Sequence, residues 1–214
     1  MISLNAFLPA LSELVGVSPG VLYERQRSLV KHGLIKSRPG RGPGSGVPLT
    51  YANVAMLLIA YMAADALADV PMRVERAANG KARAEHNENL LAAQGRPTKA
   101  NFQETIEGIL ADPEMAASVE SIEIDLAGSD ALVSWLWLTG KQEYTRFSFT
   151  DQREFTAARR RELHGIAKKA FVTRTFLIDL STKLKSLVED GAISPRSVDR
   201  KRSRPSRSSK DQKA

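Results

Sequence analysis

Residues 8–50 decide how the N-terminal part of this chain folds. They read Leu8-Pro-Ala-Leu-Ser-Glu-Leu-Val-Gly-Val-Ser-Pro-Gly-Val-Leu-Tyr-Glu-Arg-Gln-Arg-Ser-Leu-Val-Lys-His-Gly-Leu-Ile-Lys-Ser-Arg-Pro-Gly-Arg-Gly-Pro-Gly-Ser-Gly-Val-Pro-Leu-Thr50. An apolar helical stretch comes first, a Gly-Val-Ser-Pro turn follows, and a more polar helical stretch leads into a loop of glycine, proline and arginine. The pattern predicts two short helices, a tight turn between them and a cationic loop after them.

The bounds of the two helices follow from their end signals. Over residues 5–15 apolar side chains recur at spacings of three and four, which predicts one buried helical face. Gly16 stands where a helix ends in a left-handed residue, a conformation that costs glycine little. Ser18 is a good N-cap and Pro19 suits the first helical position, so the second helix is expected to run from Pro19 to about His32.

A loop rich in glycine and proline follows the second helix. Leu34–Arg38 and Val47–Thr50 are predicted as two short strands on either side of it, and the loop carries Arg38 and Arg41. A flexible cationic loop can lie along a nucleic-acid backbone or enter a minor groove. The alternative is a plain linker, which Gly/Ser/Pro tracts commonly form. A Walker-type phosphate loop is excluded, because residues 40–46 do not match its pattern.

Together these features resemble the winged helix-turn-helix superfamily of DNA-binding proteins. The spacing is similar to that of GntR-type regulators in four features. A serine opens the second helix (Ser18), and apolar positions follow it (Val21, Leu22 and Leu29). The helix exit reads Gly-Leu-Ile (Gly33–Ile35), and an Arg-rich glycine loop comes next (Arg38–Gly42). The turn at residues 16–19 is also similar to that of MerR-type proteins. GntR-type domains usually have Ala-Leu where this chain has Arg25-Gln26, so the second helix is expected to bury less or to pack differently.

The resemblance implies that the second helix, residues 18–32, enters the major groove of double-stranded DNA with the loop on the flanking backbone. Arg25 and Arg27 are then candidates to read guanine and Gln26 to read adenine. The full set of candidate DNA contacts is Ser18, Gly20, Tyr23, Glu24, Arg25, Gln26, Arg27, Lys31, Arg38 and Arg41. The alternative is a pair of amphipathic helices whose polar face is only solvated.

Positive charge is concentrated at the two ends of the sequence. The whole chain carries +7; residues 1–60 carry +4, residues 61–150 carry −6, residues 151–190 carry +3 and residues 191–214 carry +6. This asymmetry favours a polyanion as the partner of the ends. Residues 191–214 are strongly basic and almost free of apolar side chains, so we expect a disordered tail that either adds salt-sensitive affinity for nucleic acid or only aids solubility.

The residues that catalysis or metal binding would need are not arranged for it. The chain has no cysteine, and its three histidines stand at no metal-ligand spacing. The usual hydrolase and metalloprotease motifs are missing. The sequence therefore predicts a protein that is not an enzyme and uses no cofactor or metal. The longest apolar run is too short to cross a bilayer. We expect a cytoplasmic protein, of the bacterial nucleoid or a phage-encoded equivalent.

A strongly apolar helix follows the loop. Thr50 is expected to cap it, and from Tyr51 onward it is apolar over more than one face, so it lies either in the core of the monomer or against a second copy in a homodimer. Val70-Pro71 breaks the pattern, and a shorter helix is expected to reach Ala78. Residues 79–100 are polar and are interpreted as a linker.

Residues 101–190 predict a small α+β domain. Asn101 and Glu104 have capping-box spacing at the start of a helix. Strands are expected over 121–126, 131–138 and 144–150 as an antiparallel meander, with a fourth over 164–172 and a last helix over 174–189. The strand over 131–138 is apolar on both faces, which is typical of a central strand. Its Trp135 and Trp137 either belong to the core or line a ligand pocket.

The sequence as a whole predicts a mostly α protein with an α+β part. Residues 1–78 form the winged helix-turn-helix domain with its following helices, 79–100 the linker, 101–190 the α+β domain and 191–214 the tail. The function this favours is a sequence-specific transcriptional regulator that binds DNA as a homodimer. A structural DNA-handling protein for packaging, recombination or partition is the alternative, and an RNA-binding accessory protein is a third class. The sequence assigns no effector or protein partner to residues 101–190.

Overall fold

The computed structural model describes residues 2–40, 45–82, 100–125, 130–136, 142–149 and 169–191. These ranges combine α-helices with an antiparallel β-sheet, which confirms the predicted mixed fold class at that level. The helices are α1 (Leu4–Val15), α2 (Pro19–Lys31), α3 (Tyr51–Ala63), α4 (Val70–Ala78), α5 (Phe102–Ala111), α6 (Pro113–Ala117) and α7 (Arg174–Glu189). The strands are β1 (Lys81–Ala82), β2 (Val119–Asp125), β3 (Asp130–Leu136), β4 (Gln142–Ser148) and β5 (Lys169–Thr173). None of the helices in these ranges is long and apolar enough to cross a membrane.

The α1–turn–α2 segment forms as its end signals predict. The Ser3 hydroxyl accepts the N–H of Ala6 at the start of α1. Gly16 ends α1 with a φ of 75°, and its N–H donates to the Ser12 carbonyl at 2.9 Å. Pro19 occupies the first turn of α2, where its missing N–H is not needed. The predicted bounds of both helices are confirmed to within one residue.

The segment after α2 pairs less than predicted. Arg38 and Gly46 exchange two backbone hydrogen bonds of 2.9 Å, but no longer ladder joins the two predicted strands in the described residues. Residues 47–49 pair instead with the N-terminus: Leu4 N–H donates to Val47 O at 2.7 Å and Leu49 N–H to Ile2 O at 3.1 Å. Pro39 and Pro48 have no N–H to give, which limits a ladder at this point.

The apolar helix α3 is buried against other parts of the same chain. Thr50 caps it as predicted, its hydroxyl accepting the Asn53 N–H at 3.1 Å. All but three of its 13 residues are buried. Helix α3 therefore lies in the core of this chain, and the homodimer stays a prediction. The shorter helix that ends at Ala78 is confirmed as α4, preceded by a 3₁₀ turn at Leu67–Asp69.

The sheet has the strand order β1-β4-β3-β2-β5, with every neighbouring pair antiparallel. The predicted β2–β3–β4 meander and the central place of β3 are confirmed. One expectation is wrong: Lys81 and Ala82, interpreted as linker, form β1 and pair with Ser148 and Phe147. The predicted strand over 164–172 is found as β5 from Lys169 onward, and residues 150–168 lie outside the described ranges.

One side of the sheet faces the helices. Ile122, Val133, Trp135 and Phe147 point there and are fully or almost fully buried. The Trp135 indole donates to the Thr145 hydroxyl at 3.0 Å, so this tryptophan belongs to the core, while Trp137 is outside the described residues.

Buried side chains from Leu4 to Leu184 form one continuous cluster. This cluster spans both sides of the predicted 79–100 boundary, and α3 packs against α5 across it. The division into two domains stays a prediction. The predicted tail lies outside the described residues except for Gly191.

Candidate nucleic-acid interface

The outward face of α2 carries most of the predicted contact residues. The residues exposed there are Ser18, Gly20, Tyr23, Glu24, Arg27 and Lys31. Spacings of three and four place them on adjacent turns of one helical side, because the helix repeats every 3.6 residues. The result is a polar ridge that offers hydroxyl, carboxylate, guanidinium and ammonium groups to a partner.

Arg27 is held loosely at the centre of this ridge. Its Nη1 donates to Glu24 Oε1 at 3.1 Å, and its guanidinium lies 6.0 Å from the centre of the Tyr23 ring. Both partners of the ion pair are largely exposed to solvent. Exposed pairs of this kind contribute only about 0.2–1 kcal/mol, so Arg27 can move to another acceptor at little cost.

The start of α2 keeps its backbone accessible. Ser18 is the N-cap, but its side chain makes no capping hydrogen bond; its carbonyl accepts the Val21 N–H at 3.0 Å. A Cβ on Gly20 would have Ser18 Oγ, at 3.9 Å, as its nearest neighbour, so the protein itself does not require glycine there. A hydroxyl and a bare glycine backbone are suited to close approach by an anion.

Gln26 lies on the inward side of α2. It is only 4% exposed, and its Nε2 donates to Asn5 Oδ1 on α1 at 2.6 Å. In this arrangement the amide is turned into the protein and already bonded, and the contact of Gln26 with adenine stays a prediction.

Arg25 also contacts other parts of the chain and is not fully exposed. The residue is half-buried, its Nη2 donates to the Ala64 carbonyl at 3.2 Å, and its guanidinium lies 5.4 Å from the centre of the Tyr61 ring. Its guanidinium is thus engaged within the chain, and its contact with guanine stays a prediction. The signal for this inward turn was present in the sequence: Arg25 and Gln26 follow Leu22 by three and four residues, so a helix turns all three to one side.

The loop after α2 leaves the helix through the core. Gly33 adopts a φ of 73°, and the Leu34 N–H donates to the Leu29 carbonyl at 2.9 Å, after which Ile35 is buried. Arg38 then emerges on the surface at the paired base of the loop. Arg41 lies outside the described residues, so its predicted contact stays a prediction.

The two side chains in the described residues whose pKa is shifted, Glu107 and Tyr51, lie outside α2. Burial and then the Glu104 carboxylate raise the pKa of Glu107 on α5, while burial and then Glu189 raise the pKa of Tyr51. Within the part of the chain that the structure describes, no group of three His, Asp or Glu side chains could hold a metal ion.

Comparisons of this chain with protein-family models, with curated proteins and with solved structures found no match.

Proposed function

We propose that this chain is a sequence-specific DNA-binding regulator that places the outward face of α2 in the major groove. The observation that carries the proposal is the exposed polar ridge of Ser18, Gly20, Tyr23, Glu24, Arg27 and Lys31 on a helix held between α1 and α3. The tight turn at Gly16 and the loop base at Arg38 support a winged helix-turn-helix arrangement around that ridge.

The dimensions and chemistry of α2 suit the groove. Its 13 residues make a rod of about 20 Å, and the major groove of B-DNA, about 12 Å wide, admits an α-helix. Arg27 can donate two hydrogen bonds to guanine, and Glu24 can accept from the amino group of cytosine. The exposed Glu24–Arg27 pair would separate so that each side chain meets a base.

The surrounding groups supply contacts that do not depend on sequence. Tyr23, Lys31 and the backbone at Gly20 suit phosphates at the edges of the groove, and Arg38 suits the flanking backbone. Phosphate contacts release condensed counterions, so each one steepens the dependence of affinity on salt. The basic residues 191–214 would add to the same term.

We propose that two copies act together, because paired half-sites are how a short recognition helix usually gains affinity and selectivity. The buried helix α3 does not supply the contact between copies in this arrangement, because its side chains already pack within the chain.

The decisive experiment selects bound sequences from a random DNA pool with the full chain and titrates the winner at two salt concentrations. We expect a defined motif, and twofold symmetry in it would support the pair of copies. Arg27→Ala should lose about 1–3 kcal/mol of discrimination at one base pair. Arg38→Ala should weaken binding to all sequences alike. It should also lower by about one the salt slope, which is the steepness with which log affinity falls with log salt concentration. Arg76→Ala, an exposed arginine on α4, is the matched control and should leave both unchanged.

Two results would overturn the proposal. Binding with a steep salt slope and no motif would favour a structural DNA-handling protein in which the basic ends supply the affinity. Preference for RNA over the selected duplex in direct competition would favour an RNA-binding accessory protein.

A further inference from the structure

We infer that Arg25 is a positioning residue: it fixes the proposed DNA-facing helix α2 on the C-terminal end of α3 and does not itself touch DNA. Its role in binding rests on the function proposed above, whereas the contact itself does not. We use the name Arg25 clamp for Arg25 together with Tyr61 and the Ala64 carbonyl.

The first half of the clamp is a hydrogen bond to a helix end. Arg25 Nη2 donates to the carbonyl of Ala64, the residue that caps α3, at 3.2 Å. The last carbonyls of a helix have no partner within it, and together they carry a partial negative charge. Helix α3 has no basic residue of its own in its last turn. Arg25 therefore supplies from α2 the cation that this helix end lacks.

The second half is a stacked aromatic ring. The Arg25 guanidinium lies 5.4 Å from the centre of the Tyr61 ring, within the range of a cation–π interaction. Its Nε is buried and has no hydrogen-bond partner among the described residues, which places one edge of the group away from bulk water. A planar guanidinium can stack on a ring and donate in its own plane at once, a geometry that the compact lysine ammonium does not reproduce.

The neighbouring residue holds α2 from the other side. Gln26 reaches α1 through Asn5 at 2.6 Å, while Arg25 reaches α3. Helix α3 in turn packs against α5, beside the sheet. The angle at which Tyr23 and Arg27 are presented is thus set by polar contacts on the opposite side of the same helix. Such preorganisation raises affinity because less ordering remains to be done on binding.

A positioning residue and a base-reading residue differ in what their loss changes. Loss of a base contact relaxes the preference at one base pair. Loss of a phosphate contact lowers the salt slope by about one. Loss of a positioning contact leaves the base preferences and the salt slope unchanged but lowers affinity for the selected site.

The test uses Arg25→Met, which keeps the apolar stem, with Tyr61→Leu and the double variant in the full chain. Arg27→Met, Tyr23→Leu and their double variant form the matched control, an exposed Arg–Tyr pair on the same helix. Urea unfolding should show coupling within the Arg25–Tyr61 pair, of about fivefold to tenfold in the folding equilibrium constant, and little in the exposed pair. Arg25→Lys, which keeps the charge, should fall between the wild type and Arg25→Met.

DNA binding separates positioning from a general loss of stability. Ile109→Val, a substitution of a fully buried residue on α5, should weaken folding and leave DNA affinity unchanged. Arg25→Met, measured where it is fully folded, should bind the selected site about tenfold more weakly with the same base preferences and salt slope.

Three results would overturn the clamp: additive unfolding energies for Arg25→Met and Tyr61→Leu, a base preference relaxed at one position by Arg25→Met, or a salt slope lowered by about one. If the wild type binds no DNA, the proposed function fails. The unfolding cycle then still decides whether the clamp exists.

Discussion

Each side of α2 carries an arginine beside a tyrosine ring; the outward ring belongs to α2 itself and the inward ring to α3. On the outward side Arg27 lies over Tyr23, and both are exposed. On the inward side Arg25 lies over Tyr61 and bonds to the end of α3. The difference teaches that the role of an arginine on a short helix is decided by its position in the helical repeat, and that its residue type alone does not reveal that role.

The largest effect that sharpens this contrast is expected at Leu29, the fully buried apolar residue of the inward side. Leu29→Ala should lower the free energy of unfolding by about 2–5 kcal/mol, because it removes buried methyl groups and leaves a cavity. Lys31→Ala, two residues on and exposed, should change it by less than about 0.5 kcal/mol. Urea denaturation of both variants measures the difference. Similar losses in the two would mean that α2 is not buried on one side only.

The next effect concerns two glycines near the start of α2, where alanine should act in opposite directions. Gly16→Ala should cost about 1–2 kcal/mol of unfolding free energy, because its φ of 75° strains any residue with a Cβ. Gly20→Ala should add about 0.5–1 kcal/mol, since Gly20 is helical and an added Cβ would meet nothing closer than Ser18 Oγ at 3.9 Å.

The same glycine substitution also probes the proposed interface. A methyl group at Gly20 stands on the outward ridge, so Gly20→Ala should weaken DNA binding while the protein becomes more stable. Calorimetry and a binding titration on one preparation measure the two effects. Unchanged affinity in Gly20→Ala would indicate that this part of α2 stays clear of the DNA.

A smaller effect is expected for Gln26→Leu. Its amide bonds to Asn5, but its Oε1 is buried with no hydrogen-bond partner in the described residues, so leucine removes one bond and one unsatisfied acceptor together. The free energy of unfolding should therefore change by no more than about 1 kcal/mol. The sequence selected from a random DNA pool should be the same as for the wild type. Loss of an adenine preference at one position would identify Gln26 as a base reader.

The smallest effect extends the contrast to α5, where two glutamates differ in the same way. Glu104 is exposed and accepts the Asn101 N–H at 2.9 Å, whereas burial and the Glu104 charge raise the pKa of the half-buried Glu107. A raised carboxyl pKa means that folding favours the protonated form, so the wild type loses stability as pH rises through the Glu107 pKa.

Glu107→Gln should remove this loss. The variant should be more stable than the wild type at neutral pH, and its advantage should disappear below the ordinary carboxyl pKa. Urea unfolding across this pH range, with the exposed Glu75→Gln as control, measures the trend. An advantage that does not vary with pH would show that the charge of Glu107 is not its cause.

The sequence predicted those parts of the fold whose signals are local. The start of α1, the turn at Gly16 and the Thr50 and Asn101 caps each depend on residues within one helical turn, and each was found. The central place of β3 was predicted from its apolar run; in the sheet it pairs with a strand on each side, and alternate residues along it are buried.

The missed features depend on partners far along the chain. Ala82 pairs with Phe147 and Arg25 bonds to Ala64, and neither partner is indicated by the residues around Ala82 or Arg25. For the candidate site, the exposed ridge followed from the helical repeat. The inward turn of Arg25 and Gln26 was missed because a polar side chain on a short helix is usually solvated, and the partners that bury these two, Ala64 and Asn5, lie far along the chain.

The contacts at Gly80 limit where this chain can be divided into separate fragments. The Gly80 carbonyl accepts the Phe102 N–H at 2.9 Å, and a Cβ at Gly80 would lie 2.5 Å from Phe149 Cδ1. The chain therefore contacts α5 and the end of β4 within two residues of the end of α4. A protease that cuts between residues 83 and 99 should leave two fragments that remain together through purification. A shortened chain ending at residue 78 would expose the side of α3 that packs against α5, so chimaeras intended to transplant α1 and α2 should include the sheet.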